Sequence, residues 1–140
     1  MKYNYHSHTK WCRHGSGEIE DYILEAIKYN LDLFAITEHV PLESKNNTHF
    51  SMHLNEIAAF TLELDEMILK YKGKIKIYKG LECEYYPRRF DFFLELQSTY
   101  NYAFLILGNH FREDEKTSYF EKSSPELLLE YSNGLVDGMR

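Results

Sequence analysis

The chain has 140 residues, 44% of them hydrophobic, and a formal charge of −6. That length supports one ordinary core and one domain, and the acidic balance argues against broad nucleic-acid binding through a basic surface. No apolar run reaches the roughly 18 residues of a membrane span. The N-terminus enters a predicted strand at once, leaving no room for a signal peptide. Cys12 and Cys83, far apart in the sequence, suit a reducing cytosol better than a disulfide scaffold, so a soluble cytoplasmic protein is expected.

In chain order, residues 3–5 open a first strand. Beyond the histidines that follow it, Ile19, Tyr22, Ile23, Ala26 and Ile27 share one face of a helix. Ser16 is its expected cap, and Glu18, Glu20 and Asp21 favour the first turns. Residues 31–36 read as a buried strand. Leu54, Ile57, Thr61, Leu64, Ile68 and Tyr71 recur every three or four residues as a second helix, which Gly73 is placed to stop. Residues 75–81 form a third strand, 90–96 an apolar helix and 102–107 a fourth strand. Ser124-Pro125-Glu126 is a helix start, with cap, Pro at the first helical position and then an acid. Leu127, Leu128 and Tyr131 give that helix an apolar face until Asn133-Gly134, the expected stop. Strand and helix alternate four times, which predicts an α/β fold with a parallel sheet and right-handed crossovers.

Each predicted strand runs into a cluster of metal-ligand residue types: His6-Ser7-His8 with His14 beyond, Glu38-His39, Glu82-Cys83-Glu84, and Asn109-His110 after Gly108. Strand alternation turns His6 and His8 to one face and Ser7 away, and does the same for Glu82 and Glu84 against Cys83, which should face the core. Paired neutral imidazoles suit a divalent cation. A carboxylate such as Glu82 or Glu84 can bridge two cations, and Glu38 can orient or neutralise a neighbouring ligand. Taken singly, the clusters suit an exposed strand face, a solvated strand end or an ordinary turn. Their recurrence at four strand ends points instead to one site on the carboxyl edge of the sheet, where loops of parallel α/β folds converge. The mixture of histidine and carboxylate favours Zn, Mn or Fe over Ca or Mg. Four βα units are about half of a closed barrel, which typically needs roughly 200 residues or more. The expected architecture is therefore the N-terminal part of a larger barrel, truncated or naturally abbreviated.

The order His6-x-His8, Thr37-Glu38-His39, Gly80-Leu81-Glu82 and Gly108-x-His110 resembles the polymerase and histidinol phosphatase (PHP) superfamily. Residues 8–15 (HTKWCRHG), 80–87 (GLECEYYP) and 107–111 (LGNHF) look closest to its bacterial histidinol-phosphatase branch. The resemblance covers nearly the whole chain and implies a TIM-like, distorted (β/α)7 barrel, of which this chain holds about half. It implies up to three divalent metals, bound by His6, His8, His14, His39, Glu82 and His110, with Glu82 between two of them. The activity implied is hydrolysis of a small phosphomonoester, L-histidinol phosphate, in histidine biosynthesis. His6, His8, Glu82 and His110 would act through a water activated by the metals. The family's later motifs, a further histidine and a final Asp-x-His, have no counterpart among the 140 residues.

Arg13, Arg88, Arg89 and Arg112 follow strands near these clusters and are candidates to grip phosphate by bidentate hydrogen bonds, or else are surface charges. Tyr85 and Tyr86 are candidate pocket walls, although partial burial of an aromatic is commoner. His49 and His53 flank the second helix start and read as surface or capping residues. Two other functions fit less well. One is a non-catalytic metal-binding or regulatory domain, and the other a PHP-type nuclease or proofreading domain, which the acidic charge disfavours.

Overall fold

The structure, a computed structural model, describes residues 1–42, 50–112, 118–120 and 124–139. Four strands, β1 (Tyr3–Asn4), β2 (Leu33–His39), β3 (Lys76–Glu84) and β4 (Phe104–Gly108), alternate with α1 (Ile19–Lys28), α2 (Ile57–Lys70), α3 (Phe90–Tyr100) and α4 (Pro125–Gly138). The sheet order is β1-β2-β3-β4 and every pairing is parallel. This is the predicted half-barrel of βα units.

Sequence reading ended the strands too early. The ladder between β2 and β3 continues through Thr37↔Gly80, Glu38↔Leu81 and His39↔Glu82, and that between β3 and β4 through Glu84↔Gly108. Glu38, His39, Glu82 and Glu84 therefore occupy the last rungs of their strands rather than loops beyond them. Backbone pairing holds them, so their spacing is set by the sheet, not by loop conformation.

Alternation along each strand separates two environments. Phe34 and Ile36 of β2 and Ile77, Leu81 and Cys83 of β3 enter the core with Ile19 and Ile23 of α1, Phe60 and Leu64 of α2 and Phe93 and Leu96 of α3. Cys83 lies there as expected, and burial pushes its thiol pKa well up. Lys79 shares this side of β3, and its buried ammonium meets the Asp65 carboxylate at 2.7 Å and donates to the Tyr100 carbonyl at 2.9 Å. Such pairing is what a buried charge requires.

Two helix ends depart from expectation. Ser16 does not cap α1. Gly17 sits at φ 87°, and Glu18 becomes the N-cap, its N–H donating to the Asp21 carboxylate at 2.8 Å. Ser16 instead accepts the Tyr22 hydroxyl through its carbonyl. At the other end of the chain, Ser124 caps α4 as predicted and Pro125 opens it, but the helix runs on through Asn133-Gly134 to Gly138. Gly134 is buried there, and a Cβ would sit 2.7 Å from Asn109 Nδ2 and 3.1 Å from the Tyr85 ring. This glycine marks close packing, not a stop. His53 caps the 3-10 turn Leu54–Glu56 ahead of α2, its N–H donating to Glu56 at 2.6 Å. His49 lies outside the described residues.

Candidate metal centre

The last rungs of the sheet bring the sequence clusters together around Glu82. Its side chain is 4% exposed. Oε2 lies 2.9 Å from His6 Nε2, 3.0 Å from His8 Nε2 and 3.5 Å from His39 Nδ1, and Oε1 lies 3.6 Å from His110 Nε2. The two Nε2 atoms of His6 and His8 are themselves 3.0 Å apart. Three electron-pair donors thus form a triangle, two of them imidazole nitrogens that cannot both point lone pairs at one another without a cation or shared protons between them.

Local structure explains how the flanking residues arrive. His6 and His8 continue the line of β1, where the Ser7 carbonyl accepts the Thr37 N–H at 2.9 Å and the Ser7 hydroxyl donates to the Ala35 carbonyl at 2.6 Å. Ser7 thereby turns away from the triangle. A 3-10 turn over Lys10–Cys12 follows, and Arg13 takes a left-handed φ of 65°. That reversal brings the His14 ring back to 5.1 Å, centre to centre, from both His8 and His39. His110 is held by Glu84, which accepts its backbone N–H at 2.7 Å and faces its Nδ1 at 2.6 Å. Gly108 leaves room for both residues: a Cβ would lie 3.0 Å from both Glu82 Oε1 and the His110 ring.

Electrostatics divide the imidazoles into two kinds. Burial works against a charge on His8, but the Cys12 thiol and the Glu38 and Glu82 carboxylates beside it outweigh burial and push the pKa up to about 11. Burial drives His39 down to about 3 and, with the His8 charge nearby, lowers His14. The Glu84 hydrogen bond raises His110. Burial would also raise Glu82, yet His8, His39 and His6 hold it down to about 2. The Glu82 and Glu84 carboxylates therefore sit among histidines whose pKa values are pushed in opposite directions, and a nitrogen ligand must shed its proton to take a cation.

The described residues offer three sets of ligand atoms, each within 4.8 Å of one another: His6, His8 and Glu82; His8, Cys12 and His14, which shares His8 with the first; and His39, Glu84 and His110. The donor chemistry and the triangle fit transition-metal or zinc ions. The family model for the PHP domain matches residues 4–139. The chain belongs to the PHP domain family. A Bacillus subtilis histidinol-phosphatase is 28% identical over 88% of this chain and 50% of its own length. A Deinococcus radiodurans protein named "Probable histidinol-phosphatase" is 21% identical over 96% of this chain and 50% of its own. The crystal structure of histidinol phosphate phosphatase from Lactococcus lactis, complexed with zinc, L-histidinol and phosphate, superposes with a TM-score of 0.78 at 23% identity, over 97% of this chain and 52% of that one. The chain spans about half the length of the relatives it matches.

In this PHP domain a cavity of about 370 Å3 opens beside the histidines, lined by Glu82, Glu84 and His110 and by Phe50, Phe111 and Phe120. No arginine lines it among the described residues. Arg13 forms an ion pair with Glu56, and Arg112 Nε pairs with Glu130 at 2.8 Å. Arg88 and Arg89 sit on the short turn Pro87–Arg89 after β3, the first exposed and the second half-buried. Tyr86 is buried in the core, and Tyr85 stands against Gly134 and Gly138 of α4. Three features escaped the sequence reading. Cys12, read there only for its redox compartment, has its Sγ within 4.8 Å of ligand nitrogens of His8 and His14; its spacing from them was the one available signal. Thr9 and the aromatic wall carried none. Among the described residues no helix is long and apolar enough to cross a membrane.

Proposed function

We propose that this PHP domain binds two or three divalent ions, Zn, Mn or Fe, through His6, His8, His14, His39, Glu82 and His110. The same reading makes it part of a cytoplasmic enzyme hydrolysing a small phosphomonoester, L-histidinol phosphate to L-histidinol and phosphate. The observation that carries the proposal is the convergence of four imidazoles on the single carboxylate of Glu82. The relatives named as histidinol-phosphatases and the zinc, L-histidinol and phosphate of the Lactococcus structure support it.

Bound cations would supply Lewis-acid polarisation of phosphoryl oxygens in a reaction whose uncatalysed rate is extremely low. The chain's own residues do the rest. Glu82 offers one oxygen to the His6–His8 side and the other to the His110 side, so it can serve two cations. Glu84 fixes the ring of His110 through a backbone and a side-chain contact. The apolar wall of Phe50, Phe111 and Phe120 lowers the water content around the ester. Phosphate would be gripped by Arg13, Arg88, Arg89 or Arg112 only after side chains reorient, since Arg13 and Arg112 already hold glutamates.

The test is elemental mass spectrometry of the chelator-washed and reconstituted protein, followed by phosphate release from L-histidinol phosphate. One or more ions per chain, lost in His6→Ala and kept in His53→Ala, with phosphate released, is the expected result. Metal without phosphate release from any ester would replace this reading with a regulatory metal-binding domain. Equal metal loss in His53→Ala would break the ligand assignment.

A further inference from the structure

Glu38 stands outside the Glu82 triangle. It precedes His39 on β2, so alternation turns it to the opposite side of the sheet, where its side chain is fully buried. Oε1 accepts two hydrogen bonds from one residue, the Thr9 N–H at 2.7 Å and the Thr9 hydroxyl at 2.6 Å. Oε2 has no hydrogen-bond partner, and neither does His8 Nδ1, which faces it at 3.6 Å. Buried polar atoms are rarely left unpaired, because each costs about 1–3 kcal/mol. Two unpaired atoms of complementary chemistry face each other here, less than 1 Å beyond hydrogen-bond range.

The covalent connection makes the arrangement specific. Thr9 directly follows His8, so the two bonds from Thr9 fix the Glu38 carboxylate relative to the backbone that carries the His8 ring. Neutral imidazole bears one N–H. A carboxylate at Nδ1 holds that proton there and leaves the Nε2 lone pair for the opposite side, where Glu82 Oε2 and His6 Nε2 lie at 3.0 Å. We propose that Glu38 is a positioning residue for the metal centre: its Oε2 takes the His8 Nδ1–H when a cation is bound, fixing the tautomer and aiming Nε2 at the ion. The proposal rests on the metal reading above and adds a residue that touches neither ion nor substrate.

The experiment uses the whole chain labelled with 15N-histidine and loaded with zinc. Long-range 1H–15N spectra report which nitrogen of His8 carries the proton, and competition with a chromophoric chelator gives the zinc affinity. In the wild type, His8 is expected to be protonated at Nδ1 and ligated at Nε2. Glu38→Gln keeps the shape but can turn an NH2 toward His8, so the Nδ1-protonated signal should be lost and zinc affinity should fall about 10–100-fold. Folded Glu38→Gln with an unchanged His8 signal and affinity overturns the proposal. If Glu38→Gln does not fold, the wild-type spectrum decides: His8 unprotonated at Nδ1 overturns it as well. A wild type that binds no zinc, or binds it as tightly after His6→Ala, fails the metal reading itself, and the role of Glu38 falls with it.

Discussion

Glu82→Gln is the sharpest perturbation of this centre, because it removes one charge and almost no volume. In the metal-free protein the surrounding histidines hold the Glu82 carboxyl at about 2 against an ordinary 4.5. At ~1.4 kcal/mol per unit, the charged form contributes roughly 3 kcal/mol to stability at neutral pH. The sign follows from the direction: a depressed pKa gives stabilisation that is present above 4.5 and lost as pH falls toward 2. Chelator-treated Glu82→Gln should therefore be less stable than wild type at pH 7 by up to ~3 kcal/mol, and the gap should narrow below pH 4.5. Zinc affinity should fall further than for loss of a group outside the ligand set, hence by more than about 100-fold or ~2.7 kcal/mol. Urea titrations across pH and chelator competition read the two effects. A folded Glu82→Gln that binds zinc like wild type would refute the role of this carboxylate as the hub.

The histidines predict a bell in the stability of the chelated protein. His39, held near 3, stays neutral in the fold while the unfolded chain takes a proton below about 6.5, so stability falls as pH drops from 6.5 toward 3. His8, raised to about 11, acts in the opposite sense: its contribution is complete below 6.5 and lost as pH rises toward 11. The optimum should lie near pH 6.5, with His39→Gln flattening the acid limb and His8→Gln the alkaline limb; a flat profile from pH 5 to 9 would contradict both assignments. Gly134→Ala should destabilise α4, because overpacking against Asn109 and Tyr85 costs about 1–3 kcal/mol and outweighs a helix-propensity gain of at most about 1. Thermal unfolding that rises in this variant would show that the approach of α4 to Asn109 is not tight.

The order and type of the elements could be read from the sequence, because a parallel α/β fold writes its two periodicities directly into the chain. The faces of the strands could be read too: alternation alone placed Cys83 in the core and Glu82 and Glu84 on the other side. What alternation cannot carry is register. That His39 pairs with Glu82 and Glu84 with Gly108 follows from how β2, β3 and β4 align across 42 and 23 intervening residues, and that alignment decides which ligand atoms meet. Gly134 shows the same limit at a helix: a local signal for a stop is overridden by contacts made only when α4 packs on Asn109 and Tyr85. Cys12 and His14 gain their places through the turn over residues 10–13, whose reversal depends on the left-handed backbone of Arg13, and Thr9 meets Glu38 only where the chain leaving β1 runs beside β2. The residue types that can bind a cation are a property of the chain, and their distances are a property of the sheet, because hydrogen-bonded pairing between strands, not sequence spacing, brings them within 3–4 Å of one another.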